Sequence, residues 1–210
     1  MEAQLATLIG QALGSDEPEG ADATRERILD ACLQAAAAVG LRRTTIEEVV
    51  RRSGLGRMTV YRRFPRRDDM VEAVMLRECR RFLAAVAAGL ESEQEPEQRV
   101  AAAFVAAMRF VRTHPLTRRA AESEPGSVLD TVAAGDGQIL AMGRGFIAAE
   151  IRAGAPAADA HRAEQVADVV ARLFVTYVGM PPTDPDPGDD EALEAFARET
   201  LVPLIALAVD

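Results

Sequence analysis

A dense run of hydrogen-bond donors lies within one short segment, and its members are Arg57, Thr59, Tyr61, Arg62 and Arg63. Guanidinium, hydroxyl and phenol groups donate hydrogen bonds to phosphate oxygens and to the edges of bases. Among and after them, Val60 and Phe64 supply apolar side chains that would hold a helix to its scaffold. This pattern is typical of a helix that enters the major groove of DNA, which is about 12 Å wide.

The distribution of charge supports a nucleic-acid partner, although the net charge does not. The formal net charge is −9. Residues 42–67 nevertheless contain nine Arg and only two acidic residues, Glu47 and Glu48, a local excess of +7. Residues 21–90 hold 14 Arg against 9 acidic residues, whereas the remaining residues hold 10 against 24. Such a basic patch on an acidic chain is expected where phosphates bind.

Several of these cations have a second interpretation as solvated surface charges. For the pairs at 62–63 and 66–67, the spacing and the local excess of positive charge favour DNA contact. For the pairs at 42–43 and 51–52, phosphate contact and plain surface both stay open. Tyr61 is interpreted as a phosphate donor rather than as a core residue.

Helical periodicity and capping signals define the elements that must position these donors. Thr44 and Thr45 each precede a Glu by three positions, the capping-box pattern that starts a helix. The segment 53–56, Ser-Gly-Leu-Gly, forms the turn that follows, so that residues 45–63 predict a helix-turn-helix. A helix over 24–39 precedes it, and a long helix from Asp68 to about Gly89 follows it, with acidic residues in its first turn where they suit the helix dipole.

The rest of the chain is also predicted to be helical, which makes the fold class all-α. No segment alternates with the period of a strand. Residues 1–20 are predicted to be an N-terminal arm or linker, for which order and disorder both stay open. Residues 21–67 would form the DNA-binding domain, and residues 68–210 a ligand-binding and dimerisation domain. The further predicted helices lie near 97–113, 116–122, 127–134, 137–153, 160–179 and 189–208.

The helix-turn-helix region resembles the signature of the tetracycline-repressor-like (TetR) family. The resemblance covers about residues 24–75, whereas the rest of the chain is similar to the family only in the order and length of its helices. The residues that carry it are TTI at 44–46, Val49, SGLGRMTVY at 53–61 and FPRRDDM at 64–70.

The resemblance implies a homodimeric repressor that binds double-stranded operator DNA and releases it when a small-molecule effector binds the C-terminal helices. It implies base contacts from Arg57, Met58, Thr59 and Arg62. It implies phosphate contacts from Thr45, Tyr61 and Arg67, where the family usually has Lys at the last position. Thr44 and Arg63 complete the predicted DNA-binding set.

Two positions depart from the family pattern. Gly56 stands where Ser is common, which removes a capping hydroxyl. Met58 replaces a residue that is usually small, and its side chain is expected to contact a thymine methyl or to alter docking.

The second half contains candidate pocket and interface residues. For each of them, packing in the core of a single chain is the alternative. The predicted pocket walls are Phe82, Phe104, Met108, Met142, Phe146, Phe174 and Tyr177, and the few charges within the apolar helix faces indicate an apolar ligand. The predicted dimer interface, on the last two long helices, consists of Val166, Val170, Leu173, Phe196, Leu201 and Leu204.

Other functions receive no support from the sequence. Neither of the two His lies three residues after a Glu, and no nucleophile elbow or phosphate loop is present, which argues against an enzyme, a metal site and a cofactor. The longest uncharged run, at 3–15, is too short to span a bilayer, and no secretory leader is apparent, so a cytoplasmic location is expected. Cys32 and Cys79 are predicted to be reduced thiols rather than a disulfide.

The function predicted from the sequence is therefore a ligand-responsive transcriptional regulator that acts as a repressor. The alternative is a DNA-binding or interaction protein of the same fold that does not sense a small molecule.

Overall fold

The computed structural model describes residues 22–123, 138–180 and 184–208. Within these ranges the regular structure is helical, and no strand occurs. The helices are α1 Ala23–Val39, α2 Ile46–Ser53, α3 Arg57–Arg63, α4 Arg67–Glu91, α5 Pro96–Thr113, α6 Pro115–Ser123, α7 Gln138–Gly154, α8 Ala160–Gly179, α9 Asp190–Phe196 and α10 Val202–Ala206. A 3-10 turn, Leu41–Arg43, connects α1 to the helix-turn-helix. The all-α prediction is confirmed.

Three predicted elements either fall outside the described residues or differ from the prediction. The predicted helix at 127–134 and the arm at 1–20 lie outside the described residues. The predicted single helix over 189–208 is interrupted by a π-helical turn, Ala197–Leu201. Because Pro203 has no backbone N–H, it cannot donate the α-helical hydrogen bond to the carbonyl of Glu199. A regular helix therefore cannot run through this point with all its hydrogen bonds intact.

Side-chain caps begin the first two helices, and the cap of the second lies at Thr45, as the capping-box pattern predicts. Asp22 accepts hydrogen bonds from the backbone N–H groups of Thr24 and Arg25, at 3.1 and 3.2 Å. Thr45 accepts one from the N–H of Glu48 at 3.2 Å. Capping of this kind stabilises a helix by about 1 kcal/mol. Gly54 ends α2 in the left-handed conformation (φ 63°), which favours glycine and turns the chain towards α3.

One apolar core holds the N-terminal helices together. It includes side chains from α1, α2, α3 and the start of α4, and its members include Ile28, Leu29, Cys32, Ile46, Val49, Val60, Phe64, Met70 and Val74. Val60 is fully buried. Burial of a side chain of this size stabilises the folded state by about 1.5–3 kcal/mol. Tyr61 also packs partly against this core, whereas Arg57, Met58, Arg62 and Arg63 are exposed.

The C-terminal helices form further cores around α5 and α8. One joins α5 and α8 to α9 and the π turn, a second joins α7 to α8 and Ala208, and a third lies between α4 and α5. At the crossing of α4 and α5, a Cβ atom on Gly89 would lie 2.8 Å from the carbonyl oxygen of Ala102. The close approach of these two helices therefore requires glycine at this position.

Buried ion pairs join α4 to the N-terminal helices and to the end of α5. Arg77 is only 4% exposed, and its Nη1 lies 3.0 Å from Glu26 and 2.8 Å from Asp30, both on α1. The Nε of Arg77 contacts Glu78, whose other carboxylate oxygen lies 3.2 Å from His114 Nε2. One network thus connects the first helix, the long helix and the α5–α6 junction.

The two cysteines are free thiols, as predicted. Cys32 is buried in the N-terminal core, and burial raises its pKa to about 11. Burial also raises the pKa of Cys79, which is half-buried. Both groups are therefore protonated and weakly nucleophilic at neutral pH.

Candidate nucleic-acid interface

The outer face of α3 is exposed along its length. The side chains of Arg57, Met58, Arg62 and Arg63 are exposed, and those of Thr59 and Tyr61 are half-buried. Met58 is 80% exposed, which is unusual for a large apolar side chain and leaves it free for an apolar contact outside the chain. No side chain caps α3 at Gly56, as its departure from Ser implies.

Arg57 and Tyr61 contact one carboxylate on the neighbouring helix. The hydroxyl of Tyr61 donates a hydrogen bond to Oε1 of Glu47 at 2.9 Å. The Nη2 of Arg57 lies 3.4 Å from the same oxygen, and its guanidinium carbon lies 5.2 Å from the centre of the Tyr61 ring. The sequence predicts Glu47 only as a capping-box partner of Thr44, because its contact with α3 depends on the geometry of the turn between the two helices.

Arg67 and Thr44 form hydrogen bonds within the chain. The Nε of Arg67 donates to the carbonyl oxygen of Thr44 at 2.8 Å, and its Nη2 donates to the carbonyl of Leu41. Thr44 is 1% exposed, and its hydroxyl donates to the carbonyl of Gly40 at 2.9 Å. These two predicted DNA contacts therefore also fasten the 3-10 turn to α4. Arg67 keeps about a third of its side chain exposed, whereas the Thr44 side chain is enclosed.

Two other predicted contacts have partial local roles. Thr45 is exposed, and because its oxygen accepts the capping hydrogen bond, its hydroxyl hydrogen can still be donated outward. Arg63 forms an ion pair with Asp22 at 2.7 Å, while the other carboxylate oxygen of Asp22 caps α1. Arg63 thus links the recognition helix to the start of α1.

The nine arginines of residues 42–67 fall into two groups. Five have carboxylate partners: Arg51 and Arg52 share Glu48, and Arg57, Arg63 and Arg67 pair with Glu47, Asp22 and Asp68. Within the described ranges, the other four form no ion pair, and all of them are exposed: Arg42, Arg43, Arg62 and Arg66. Arg51 and Arg52 share the single charge of Glu48, so this pair keeps an excess of +1, whereas Arg42 and Arg43 keep both of their charges. Phosphate contact therefore stays open for both pairs.

Six of the seven predicted pocket residues lie in two adjoining cores of the C-terminal half. Phe82 and Phe104 both contact the ring of Phe174, with ring centres 5.8 and 6.5 Å apart. Phe104 also lies 6.4 Å from Tyr177. Met108 belongs to the same core as Phe104, and Phe146 packs on the neighbouring core with Phe82 and Phe174. Met142 is half-buried on α7.

The predicted interface residues pack partly within the single chain. Val166 and Leu201 are buried in its cores. Phe196 belongs to the aromatic cluster, because its ring lies 5.7 Å from Phe104 and 5.1 Å from Tyr177. Val170, Leu173 and Leu204 are half-buried on the same cores. On α8 and just after α10, the exposed large apolar side chains are Val169 and Leu207.

A cleft of about 220 Å³ lies away from the aromatic cluster, where the end of α1 meets α6. Its lining is mostly polar and includes Thr113, Arg118, Arg119 and Glu122. The guanidinium of Arg119 donates to the carbonyl oxygen of Ala38 at 2.7 Å, so that α6 is attached to the last turn of α1.

No helix of the described residues has the length and apolar character that crossing a membrane requires.

A helix-turn-helix on a helical C-terminal domain defines a class of DNA-binding regulator, and two family models match the chain accordingly. The model of bacterial regulatory proteins of the tetR family matches residues 28–74. The model of the bacterial tetracyclin repressor C-terminal domain matches residues 95–198. The chain belongs to the TetR family of transcriptional regulators, and the resemblance noted in its sequence is confirmed. Members of this family regulate transcription by binding DNA and are not enzymes.

Solved structures share the fold over nearly their whole length. The TetR family repressor AlkX from Dietzia sp. strain DQ12-45-1b, implicated in biodegradation of n-alkanes, has 19% identity and a TM-score of 0.62, over 88% of this chain and 98% of that chain. FadR from Bacillus halodurans, a fatty acid degradation regulator, has 14% identity and a TM-score of 0.54, over 91% and 97%. A TetR-like regulator from Rhodococcus sp. RHA1 has 16% identity and a TM-score of 0.54, over 88% and 93%. No functionally curated protein has a significantly similar sequence.

Proposed function

We propose that the protein is a homodimeric repressor that binds a palindromic operator and releases it when a small apolar molecule binds its C-terminal domain. The observation that carries this proposal is the exposed face of α3, whose backbone is fixed by the buried side chains of Val60 and Phe64. Cationic and hydrogen-bonding groups project from that face on a rigid element, which is the arrangement that base recognition requires.

The predicted contacts divide into base readers and phosphate binders. Arg57, Met58, Thr59 and Arg62 are proposed to contact base edges. Thr45, Tyr61 and Arg67 are proposed to contact phosphates, with Arg63 beside them. Arg42, Arg43 and Arg66 are also proposed to contact phosphates, because their charges are exposed and have no carboxylate partner among the described residues.

Dimerisation would set the spacing of the two recognition helices. Two-fold symmetry places them about 34 Å apart, or a multiple of that distance, on a palindromic site. The apolar side chains of Val169 and Leu207, exposed in the single chain, support an interface that includes α8 and the end of α10.

The effector is proposed to bind among the aromatic rings between α4, α5 and α8. These rings present apolar surface, which suits an apolar ligand. Because α4 begins in the N-terminal core and carries Phe82 into the aromatic cluster, a ligand that displaces Phe82 would act on the same helix that supports the DNA-binding domain. Ligand binding would then shift the population towards a conformation with the wrong helix spacing.

The test is selection of bound duplexes from a random library, followed by affinity measurements on the selected site. The wild-type protein is expected to select a palindrome, and its affinity should fall with salt at a slope of about −0.9 per phosphate contact. R62Q should cost about 1–3 kcal/mol of binding free energy and relax specificity at one position of each half-site. R118Q, on the exposed face of α6, is the charge-matched control and should bind like the wild type. A flat salt response would contradict the proposal.

The close packing of the aromatic cluster favours a second candidate, a regulator of the same fold that does not sense a small molecule. Ring centres in the cluster lie as close as 5.1 Å, which leaves the rings in contact with each other. Thermal unfolding with a panel of apolar ligands separates the candidates. A sensor should gain thermal stability with the logarithm of ligand concentration above the Kd and lose operator affinity, whereas a non-sensor should do neither.

A further inference from the structure

Glu47 is an acidic residue on a surface that otherwise presents donors to DNA. It stands in the first turn of α2, and its side chain is 61% exposed. One of its carboxylate oxygens accepts the hydrogen bond from Tyr61 at 2.9 Å and lies 3.4 Å from the guanidinium of Arg57. A single oxygen thus engages two of the side chains proposed to contact DNA.

We propose that Glu47 is a specificity-determining residue, because it keeps Arg57 and Tyr61 from contacting phosphates on DNA of unrelated sequence. This inference rests on the proposed function as a DNA-binding regulator. It assigns to Glu47 a role in discriminating between sequences rather than in adding affinity.

The chemical argument is a competition between similar acceptors. An ionised carboxylate and a phosphate are both anionic acceptors of the same guanidinium and phenol donors. In free protein the carboxylate is already in place, and Arg57 is also held over the Tyr61 ring. If both donors turned to the DNA backbone, they would leave the Glu47 charge unpaired beside other negative charges, which is unfavourable.

The Glu47 carboxylate weakens binding to unrelated DNA more than it weakens binding to the operator. Affinity for unrelated DNA comes almost entirely from phosphate contacts. Each cation that is paired with a carboxylate of the protein therefore lowers that affinity. On the operator, the guanidinium of Arg57 gains hydrogen bonds to a base edge, which a phosphate contact does not replace. Glu47 therefore lowers the affinity for unrelated sequences more than the affinity for the correct one.

The local environment keeps Glu47 ionised and distinguishes it from its neighbour. Its own backbone N–H and the Tyr61 hydroxyl donate hydrogen bonds that lower the pKa of Glu47, and the charge of Arg57 acts in the same direction. The adjacent Glu48 faces Arg51 and Arg52 instead, at 2.5 and 2.6 Å. Only one of the two carboxylates in this turn contacts α3.

The experiment compares the full-length wild type with E47Q on two duplexes, the selected operator and an unrelated sequence, over a range of salt concentrations. E47Q should bind the unrelated duplex about three- to fivefold more tightly, the size of one exposed ion pair. Its salt slope on that duplex should be steeper by about 0.9, which corresponds to one additional phosphate contact. Operator affinity should change less, so that the ratio of the two affinities falls.

Two further variants make the outcome specific. E97Q removes the same charge from the first turn of α5, where Glu97 is exposed on a helix of the C-terminal half, and it should leave the ratio unchanged. In an R57Q/Y61F background, which lacks both donors, E47Q should have no effect on the ratio. Circular dichroism and thermal unfolding establish that each variant is folded.

The inference is overturned if E47Q retains the wild-type affinity ratio, if E97Q reduces that ratio equally, or if E47Q still reduces it without Arg57 and Tyr61. These results leave operator binding by the wild type intact and so do not affect the proposed function. If the wild-type protein showed no sequence preference at all, both the proposed function and this inference would be wrong.

Discussion

Arg77 in the long helix α4 forms an ion pair with Glu26 in α1, with 3.0 Å between Nη1 and the carboxylate oxygen. The two residues are 51 positions apart in the chain, and Arg77 is buried. This contact fixes the DNA-binding helices on the helix that also reaches the aromatic cluster. Burial alone would lower the pKa of Arg77, but the hydrogen bonds and charges of its carboxylate partners raise it, so the guanidinium stays charged.

Replacing Arg77 is therefore expected to destabilise the protein strongly. R77M removes the cation from a buried network and leaves Glu78 with Arg81 and His114 as partners, and breaking a buried pair typically costs about 3–5 kcal/mol of unfolding free energy. Urea unfolding followed by circular dichroism measures this loss. R118Q is a suitable control, because the exposed pair of Arg118 and Glu122 on α6, at 3.8 Å, should contribute no more than about 0.5 kcal/mol. Equal stability of R77M and wild type would show that the network contributes nothing.

The same network predicts how stability depends on pH. Burial would raise the pKa of Glu78, but its hydrogen bond with His114 and its contacts with Arg77 hold the pKa below the usual 4.5. A carboxylate with a lowered pKa in the folded state stabilises the protein above about pH 4.5, and this stabilisation is lost as pH falls through the lowered value. The unfolding free energy of the wild type should thus decrease towards low pH.

Glu78 can be separated from the other carboxylates by a variant that does not titrate. In E78Q, the unfolding free energy should decrease less steeply between about pH 5 and pH 3 than in the wild type. E97Q, which removes an exposed carboxylate in the first turn of α5, should follow the wild-type slope more closely. Parallel curves for E78Q and wild type would mean that Glu78 titrates alike in the folded and unfolded states.

Local signals in the sequence predicted the fold well, because helix starts, turns and apolar periodicity are properties of neighbouring residues. The cap at Thr45 and the turn at Gly54 are examples. The contacts of the arginine side chains could not be predicted from neighbouring residues in this way. Arg63 pairs with Asp22, and Arg67 bonds to the carbonyl of Thr44, and both contacts depend on how α1, α3 and α4 pack.

The aromatic residues show the same limit. The sequence predicts Phe196 at the dimer interface from its place on an amphipathic helix, and within the single chain its ring also lies against Phe104 and Tyr177. Periodicity identifies which face of a helix is apolar, but it does not identify what that face contacts. The interruption before Pro203, in contrast, has a cause visible in the sequence, since proline removes a helical hydrogen bond.

The thiols are expected to be unreactive in the folded protein. Burial raises the pKa of Cys32 to about 11 and raises that of Cys79, so little thiolate exists at neutral pH. A thiol reagent should therefore label native protein slowly and should label both of the two cysteines once guanidinium chloride unfolds the chain. Absence of labelling in the unfolded protein would reveal a disulfide, and rapid labelling of the native form would contradict the burial of Cys32.

The crossing of α4 and α5 offers a test of packing with an internal control. In G89A the new methyl group would lie 2.8 Å from the carbonyl oxygen of Ala102 and 2.9 Å from the Cα of Ala103, both backbone atoms. The helices must separate to admit it, which is expected to cost about 1–3 kcal/mol. Gly145 in α7 has nothing within 4 Å of the corresponding position. There alanine should stabilise the helix by up to about 1 kcal/mol, because it has the higher helix propensity. Chemical unfolding of the two variants should thus shift in opposite directions, and a G89A protein as stable as the wild type would mean that the two helices do not cross as closely as described.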